Sequence, residues 1–143
     1  MKKYLLFLLL LVIAPAFVSG QSEKDLVSKC KAAANTSFLK NYVIKLAKGS
    51  PSTELRWKEP FYLSKNITYN FTLCNADNSS GQLIMRIVDN KGIPQAMSYT
   101  KSGQTIPAFN FECKSSGQYQ FQFDFKDFQP GVGVGIVSMV KSK

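Results

Sequence analysis

Over 118–125 the chain alternates strictly: Tyr119, Phe121, Phe123 and Phe125 take one parity, and Gln118, Gln120, Gln122 and Asp124 the other. Successive side chains of a β-strand point to opposite faces, so this segment lays four rings into a core and turns its amides to water. Just upstream, Phe109 and Phe111 alternate with Asn110 and Glu112, and Lys114-Ser115-Ser116-Gly117 supplies a turn. Together they predict an antiparallel hairpin over 106–125.

The same period recurs along the chain. Over 38–46, Phe38, Tyr42, Ile44 and Leu46 fall on one side, with Lys40 and Lys45 among the outward residues. The segment 55–63 carries Trp57, Phe61 and Tyr62 but contains Pro60, which has no N–H to give a ladder, and so reads as a broken edge strand. Ile67, Tyr69, Phe71 and Leu73 alternate with Asn66, Thr68, Asn70 and Thr72. The nearly continuous apolar run 83–88 predicts a central strand, and Asp89-Asn90-Lys91-Gly92 turns it into a second hairpin over 83–99. A last strand over 132–140 opens with Gly131, Gly133 and Gly135, which point to a bulge or a close approach of backbones. Only 22–34 has helical spacing, with Ser22 or Asp25 as cap and Leu26, Cys30 and Ala33 or Ala34 on one stripe.

About eight short strands without helices long enough for parallel crossovers predict two packed sheets. The expectation is a single antiparallel β-sandwich of jelly-roll type over 37–143, with the helical segment 21–36 packed across one end. Its expected core is Phe71, Leu73, Ile87, Phe109, Phe111, Tyr119, Phe121, Phe123 and Ile136.

The first twenty residues change the picture from fold to address. Lys2 and Lys3, an apolar run over 4–13 and the small residues Val18-Ser19-Gly20 have the three-part form of a secretory signal, with cleavage after Gly20 and Ala16 as the alternative. The run is shorter than the roughly 20 residues a spanning helix needs, and Pro15 interrupts it. No cysteine stands directly after the cleavage site to take a lipid anchor, no other segment has the length to span a membrane, and the periplasm or the extracellular space is the expected location.

Formal net charge is +9, and without Lys2 and Lys3 it is +7. Such a balance fits anionic partners, yet the lysines are scattered, and export sets nucleic acid aside. Three cysteines, Cys30, Cys74 and Cys113, allow one intramolecular disulfide in an oxidising compartment, and spacing alone leaves all three pairings open.

The run Leu63-Ser64-Lys65-Asn66-Ile67-Thr68-Tyr69-Asn70-Phe71, the Asp-x-x-Gly turn at Asp89, and the Phe109-Asn110-Phe111 and Ser116-Gly117-Gln118-Tyr119 segments resemble the jelly-roll modules typified by the bacterial pre-peptidase C-terminal domain. The whole mature chain is similar to small exported proteins of Bacteroidota that have no assigned activity. In that set a further cysteine stands near Val132; the resemblance thus implies that Cys113 has lost its partner and that Cys30 and Cys74 form the bridge. Parity agrees, because Cys74 shares the outward phase of Thr72, whereas Cys113 shares the inward phase of Phe109 and Phe111.

The chain has no histidine, which removes His-dependent triads and dyads and, with no closely spaced cysteine pair, the usual zinc sets. Glu54 with Glu59, and Asp124 with Asp127, are the acid pairs a glycoside hydrolase would need, but nothing in their spacing sets them across a cleft. Asp77-Asn78 and Asp89-Asn90 offer oxygen ligands for calcium and are equally turn-formers. No metal or cofactor is expected. Acceptor sequons at Asn35, Asn66, Asn70 and Asn78 are accidents of composition in a bacterial chain. Two polar rows, Asn66-Thr68-Asn70-Thr72 and Gln118-Gln120-Gln122, together with Trp57, Tyr62 and Tyr99, have the amides, hydroxyls and rings of a glycan-binding surface. They equally make a plain solvated face. The expected function is a non-enzymatic interaction or structural module of the cell envelope, binding a protein or a glycan; the alternative is a carbohydrate-binding module with Trp57 as the stacking platform.

Overall fold

The computed structural model describes residues 22–34 and 37–140. The signal segment 1–20 and the sequon at Asn35 lie outside the described residues. The described chain runs α1 (Glu23–Ala34), β1 (Ser37–Leu46), β2 (Trp57–Leu63), β3 (Thr68–Asn75), β4 (Leu83–Val88), β5 (Pro94–Met97), β6 (Ala108–Glu112), β7 (Gly117–Phe125), a 3₁₀ turn over Lys126–Phe128, and β8 (Gly131–Met139).

The strands form two four-stranded antiparallel sheets, one ordered β1-β8-β3-β6 and the other β2-β7-β4-β5. Only β4 and β5 are consecutive strands of one sheet; every other connection crosses between sheets, which is the winding of an eight-stranded jelly roll. The β4–β5 hairpin and the central place of β4 are as the pattern predicts.

The expected hairpin over 106–125 is not formed. β6 pairs with β3, and β7 lies in the other sheet between β2 and β4. Alternation fixes which face a strand buries but not which strand lies beside it. Both strands bury aromatic rows, and these rows meet across the core: the Phe111 and Tyr119 rings are 6.0 Å apart, edge to face. The 114–116 segment that reads as a hairpin turn is the crossover.

The core between the sheets is built around β7, with Phe121, Phe123 and Phe125 each at most 1 % exposed. Phe71 meets Phe121 edge-on and stacks on Phe109, and Phe61 stacks on Phe121. Such pairs add about 1 kcal/mol each beyond the area they bury. Phe109 and Phe111 are only partly buried, because β6 is an edge strand. β8 makes room for the rings with glycines on its inner face. A Cβ on Gly135 would sit 2.6 Å from Cε1 of Phe123, and one on Gly133 3.0 Å from a Leu83 methyl. The glycine run is therefore a close approach, and its register against β1 and β3 shows no bulge there.

The outward parity of β8 is apolar, with Val134 and Ile136 fully buried, and something must cover it. α1 does so, lying over the outer face of β3 and β8 and not across one end of the sandwich as expected. Ile136 belongs to this second cluster with Leu26, Cys30 and Ala76, and not to the core between the sheets. Ser22 caps the helix, its Oγ accepting from the Asp25 N–H at 3.2 Å. Cys30 and Cys74 stand at disulfide distance, with Cα atoms 5.8 Å apart, and fasten the helix to β3. Cys113 is free and fully buried.

Two further strands depart from expectation. β2 is an edge strand as predicted but runs unbroken through Pro60, which sits opposite Gln120 in the ladder. An edge strand has one side without a neighbour, so a missing N–H is tolerated. On β1 a register shift between Phe38 and Lys40 turns Phe38 outward, where it is 42 % exposed and the Lys31 ammonium stands 3.9 Å above its ring.

Candidate functional site

The two polar rows expected from the sequence lie on opposite outer faces of the sandwich. Thr68, Asn70 and Thr72 belong to the sheet that carries α1, where Thr72 is buried and Asn70 donates to Asn110 across the β3–β6 ladder. Gln118, Gln120 and Gln122 belong to the other sheet, whose outer face is covered by no helix among the described residues.

Nor are the three aromatic residues brought together. The Trp57 ring packs inward, edge-on to Tyr42 at 5.4 Å and to Phe123 at 5.3 Å, and joins the core cluster. Tyr62, five residues on, has the opposite parity on β2 and is 64 % exposed on the outer face. Tyr99 lies beyond β5 in an isolated bridge to Thr105.

The amides of β7 do not all face water. Gln122 is 6 % exposed and Asp124 fully buried on the outward parity. The Asp124 carboxylate accepts from the Arg56 backbone N–H at 3.0 Å and from its guanidinium at 2.7 Å, while Arg56 also donates to the Ala47 carbonyl. The guanidinium fills the space beside Gly49, where a Cβ would collide with it. This clip draws the β1–β2 connection over one end of the open face. Its strong charge-assisted bonds raise the Arg56 pKa above its ordinary value.

The rest of the open face is a shallow depression of about 430 Å³. Arg86 on β4 donates through Nε and Nη2 to Oε1 of Gln122, at 3.1 and 2.7 Å. Nε2 of Gln122 then donates to Oε1 of Gln120 at 2.7 Å. The relay fixes both amides and leaves the amino group of Gln120 as a polarised donor without a partner among the described residues. Beside it Lys58 donates to Glu54 at 2.5 Å, and that bond, with the ammonium's charge, holds the Glu54 carboxyl below the usual range. The lining carries two basic residues, Lys58 and Arg86, against two acidic ones, Glu54 and Asp89. In a chain of net charge +9 this depression is charge-balanced. A second hollow of about 310 Å³ adjoins it around Asp89, Gln118 and Tyr119.

The acid pairs do not face one another. Glu54 is held by Lys58, whereas Glu59 pairs with Lys40 at the open side between β1 and β2. Asp124 is buried under Arg56, and Asp127 is exposed in the 3₁₀ turn. Asp89 spends its carboxylate on its own turn, accepting from the Lys91 and Ile93 N–H groups and from Gln95. Asp77 lies 3.7 Å from Lys29. Sequence reasoning named the glutamine row and Tyr62 but passed over Arg86 and Lys58. The visible signal was Arg86, a lone charge inside the apolar run 83–88. Compared with known proteins, the chain matches no family model and no curated protein sequence.

Proposed function

We propose that the protein is an exported, non-enzymatic interaction module of the cell envelope, and that it binds through the open outer face of the β2-β7-β4-β5 sheet. The observation that carries this is the contrast between the two outer faces. One is occupied by a helix tied down at Cys30 and Cys74. The other holds an ordered run of side-chain donors and acceptors, Arg86 to Gln122 to Gln120, around an unfilled depression. Fixing polar side chains costs conformational entropy, and a binding face recovers that cost by presenting them already oriented. The signal-like segment 1–20 and the cysteine pair at disulfide distance support an oxidising compartment. Among the described residues no helix is long and apolar enough to cross a membrane.

A photoreactive side chain placed at Gln120, with one at Lys31 on α1 as control, tests the reading in intact envelopes. Adducts at 120 and none at 31 are expected. Equal labelling at both positions, or labelling at 31 alone, would contradict it.

A further inference from the structure

Resting on that assignment of the face, we infer that its ligand is a neutral carbohydrate chain, held by the Gln120 amide and stacked on Tyr62. Three observations converge on this class. First, the lining is charge-balanced although the chain is strongly basic, with Lys58 already paired to Glu54 and both Nε and Nη2 of Arg86 given to Gln122. An anionic ligand would meet Glu54 and Asp89 as well as these two cations, so the lining offers it no net attraction. Second, the groups left over are neutral. The oxygen of Gln120 is used by Gln122, which leaves its amino group as a donor without a partner among the described residues, while Gln118 is exposed and its amide is likewise unpartnered there. An oxygen-rich, hydroxyl-bearing ligand supplies acceptors to the one and both kinds of group to the other. Third, Tyr62 lies directly opposite Gln118 in the β2–β7 ladder and keeps 64 % of its surface exposed. Among the described large hydrophobic residues it is the most exposed, and the C–H face of a sugar covers such a ring without giving up its equatorial hydroxyls to an apolar wall. An apolar peptide anchor would meet amides where it needs a greasy pocket, since the apolar lining of the depression is limited to the exposed Pro60 and the buried Val88 and Tyr119.

Trp57 therefore has no part in sugar stacking; its ring is spent between Tyr42 and Phe123. Tyr62 takes the role that the sequence pattern gave to the tryptophan.

The mature full chain is passed over insoluble neutral polysaccharides (cellulose, xylan, chitin and mannan) in high salt, which screens the general attraction of a basic chain. The variants are Tyr62→Ala, Gln120→Ala and Gln120→Glu, the last keeping an acceptor for Gln122 while removing the donor. Each is checked for an unchanged melting temperature, as expected for surface positions. Retention of the parent chain on at least one neutral matrix is expected. Each variant should weaken it roughly tenfold, the worth of one hydrogen bond or one ring contact. Retention on none of the four, or retention that survives both Gln120→Glu and Tyr62→Ala, would overturn the carbohydrate assignment. If photo-adducts form at position 120 while every neutral matrix fails, the ligand is another class and the binding face stands; if adducts are absent as well, both fall.

Discussion

Asp124 shows how far a residue's surroundings can depart from its place in a pattern. Its parity on β7 is that of three glutamines, yet Arg56, 68 residues away, folds over it and excludes water. Alternation reports the sheet face and is silent about a loop that later covers it, so this contact was not legible. Removing one member of a buried ion pair leaves the other charge stranded. Arg56→Ala, which strands the fully buried Asp124 carboxylate, is expected to cost about 3 kcal/mol in chemical denaturation, Asp124→Ala less because the Arg56 side chain stays 25 % exposed, and the double variant distinctly less than the sum of the singles. Gly135 is a second residue set by packing. Gly135→Ala should cost about 1–3 kcal/mol through overpacking, and adding Phe123→Leu should offset part of that loss, since the two atoms in conflict belong to this pair. At Glu54 the Lys58 bond favours the charged form, so the folded pKa is depressed. Its contribution is present above the ordinary glutamate range and is lost as pH falls through the lowered value. A carboxyl NMR titration should place its midpoint below that of an ordinary glutamate, and Lys58→Ala should raise it towards the ordinary value.

Among the elements, α1, β3, β7 and the β4–β5 hairpin were legible because each carries a local signal: a Ser22 cap, clean alternation, or an Asp-x-x-Gly turn. The pairing of β6 was not, since a short Gly-ended connection looks the same whether it closes a hairpin or crosses between sheets. The glycine-bearing face of β8 was legible as a bulge or a close approach but not as the inner face, because over 131–135 no side chains mark that parity. The helix makes a sharper test of element-scale energetics. Separated by 44 positions in sequence, Cys30 and Cys74 close a long loop of the unfolded chain. Cys30→Ala/Cys74→Ala should lower stability by about 2–4 kcal/mol, and peptide mapping of the unreduced protein should recover the Cys30–Cys74 pair with Cys113 as a thiol. Faster amide exchange confined to α1 and the outer residues of β8 would locate the loss at the helix.

On the scale of the whole molecule, the jelly roll gives two outer faces with different fates. Residue type alone made the two polar rows look equivalent. What separates them is the apolar outward parity of β8, which calls a helix onto one sheet and leaves the other open. The fold class was thus readable from eight short strands, whereas the division of labour between faces needed the sheet order. The depression on the open face is also charge-balanced in a basic molecule, so its interactions should persist at salt concentrations that abolish purely electrostatic contacts. Amide-shift mapping of the labelled mature chain against a soluble envelope fraction tests the central claim most directly. Shifts gathered on Lys58, Tyr62, Arg86, Gln118, Gln120 and Gln122 are expected, with α1 and β6 undisturbed; shifts gathered on α1 and β6, with the glutamine row unmoved, would contradict it.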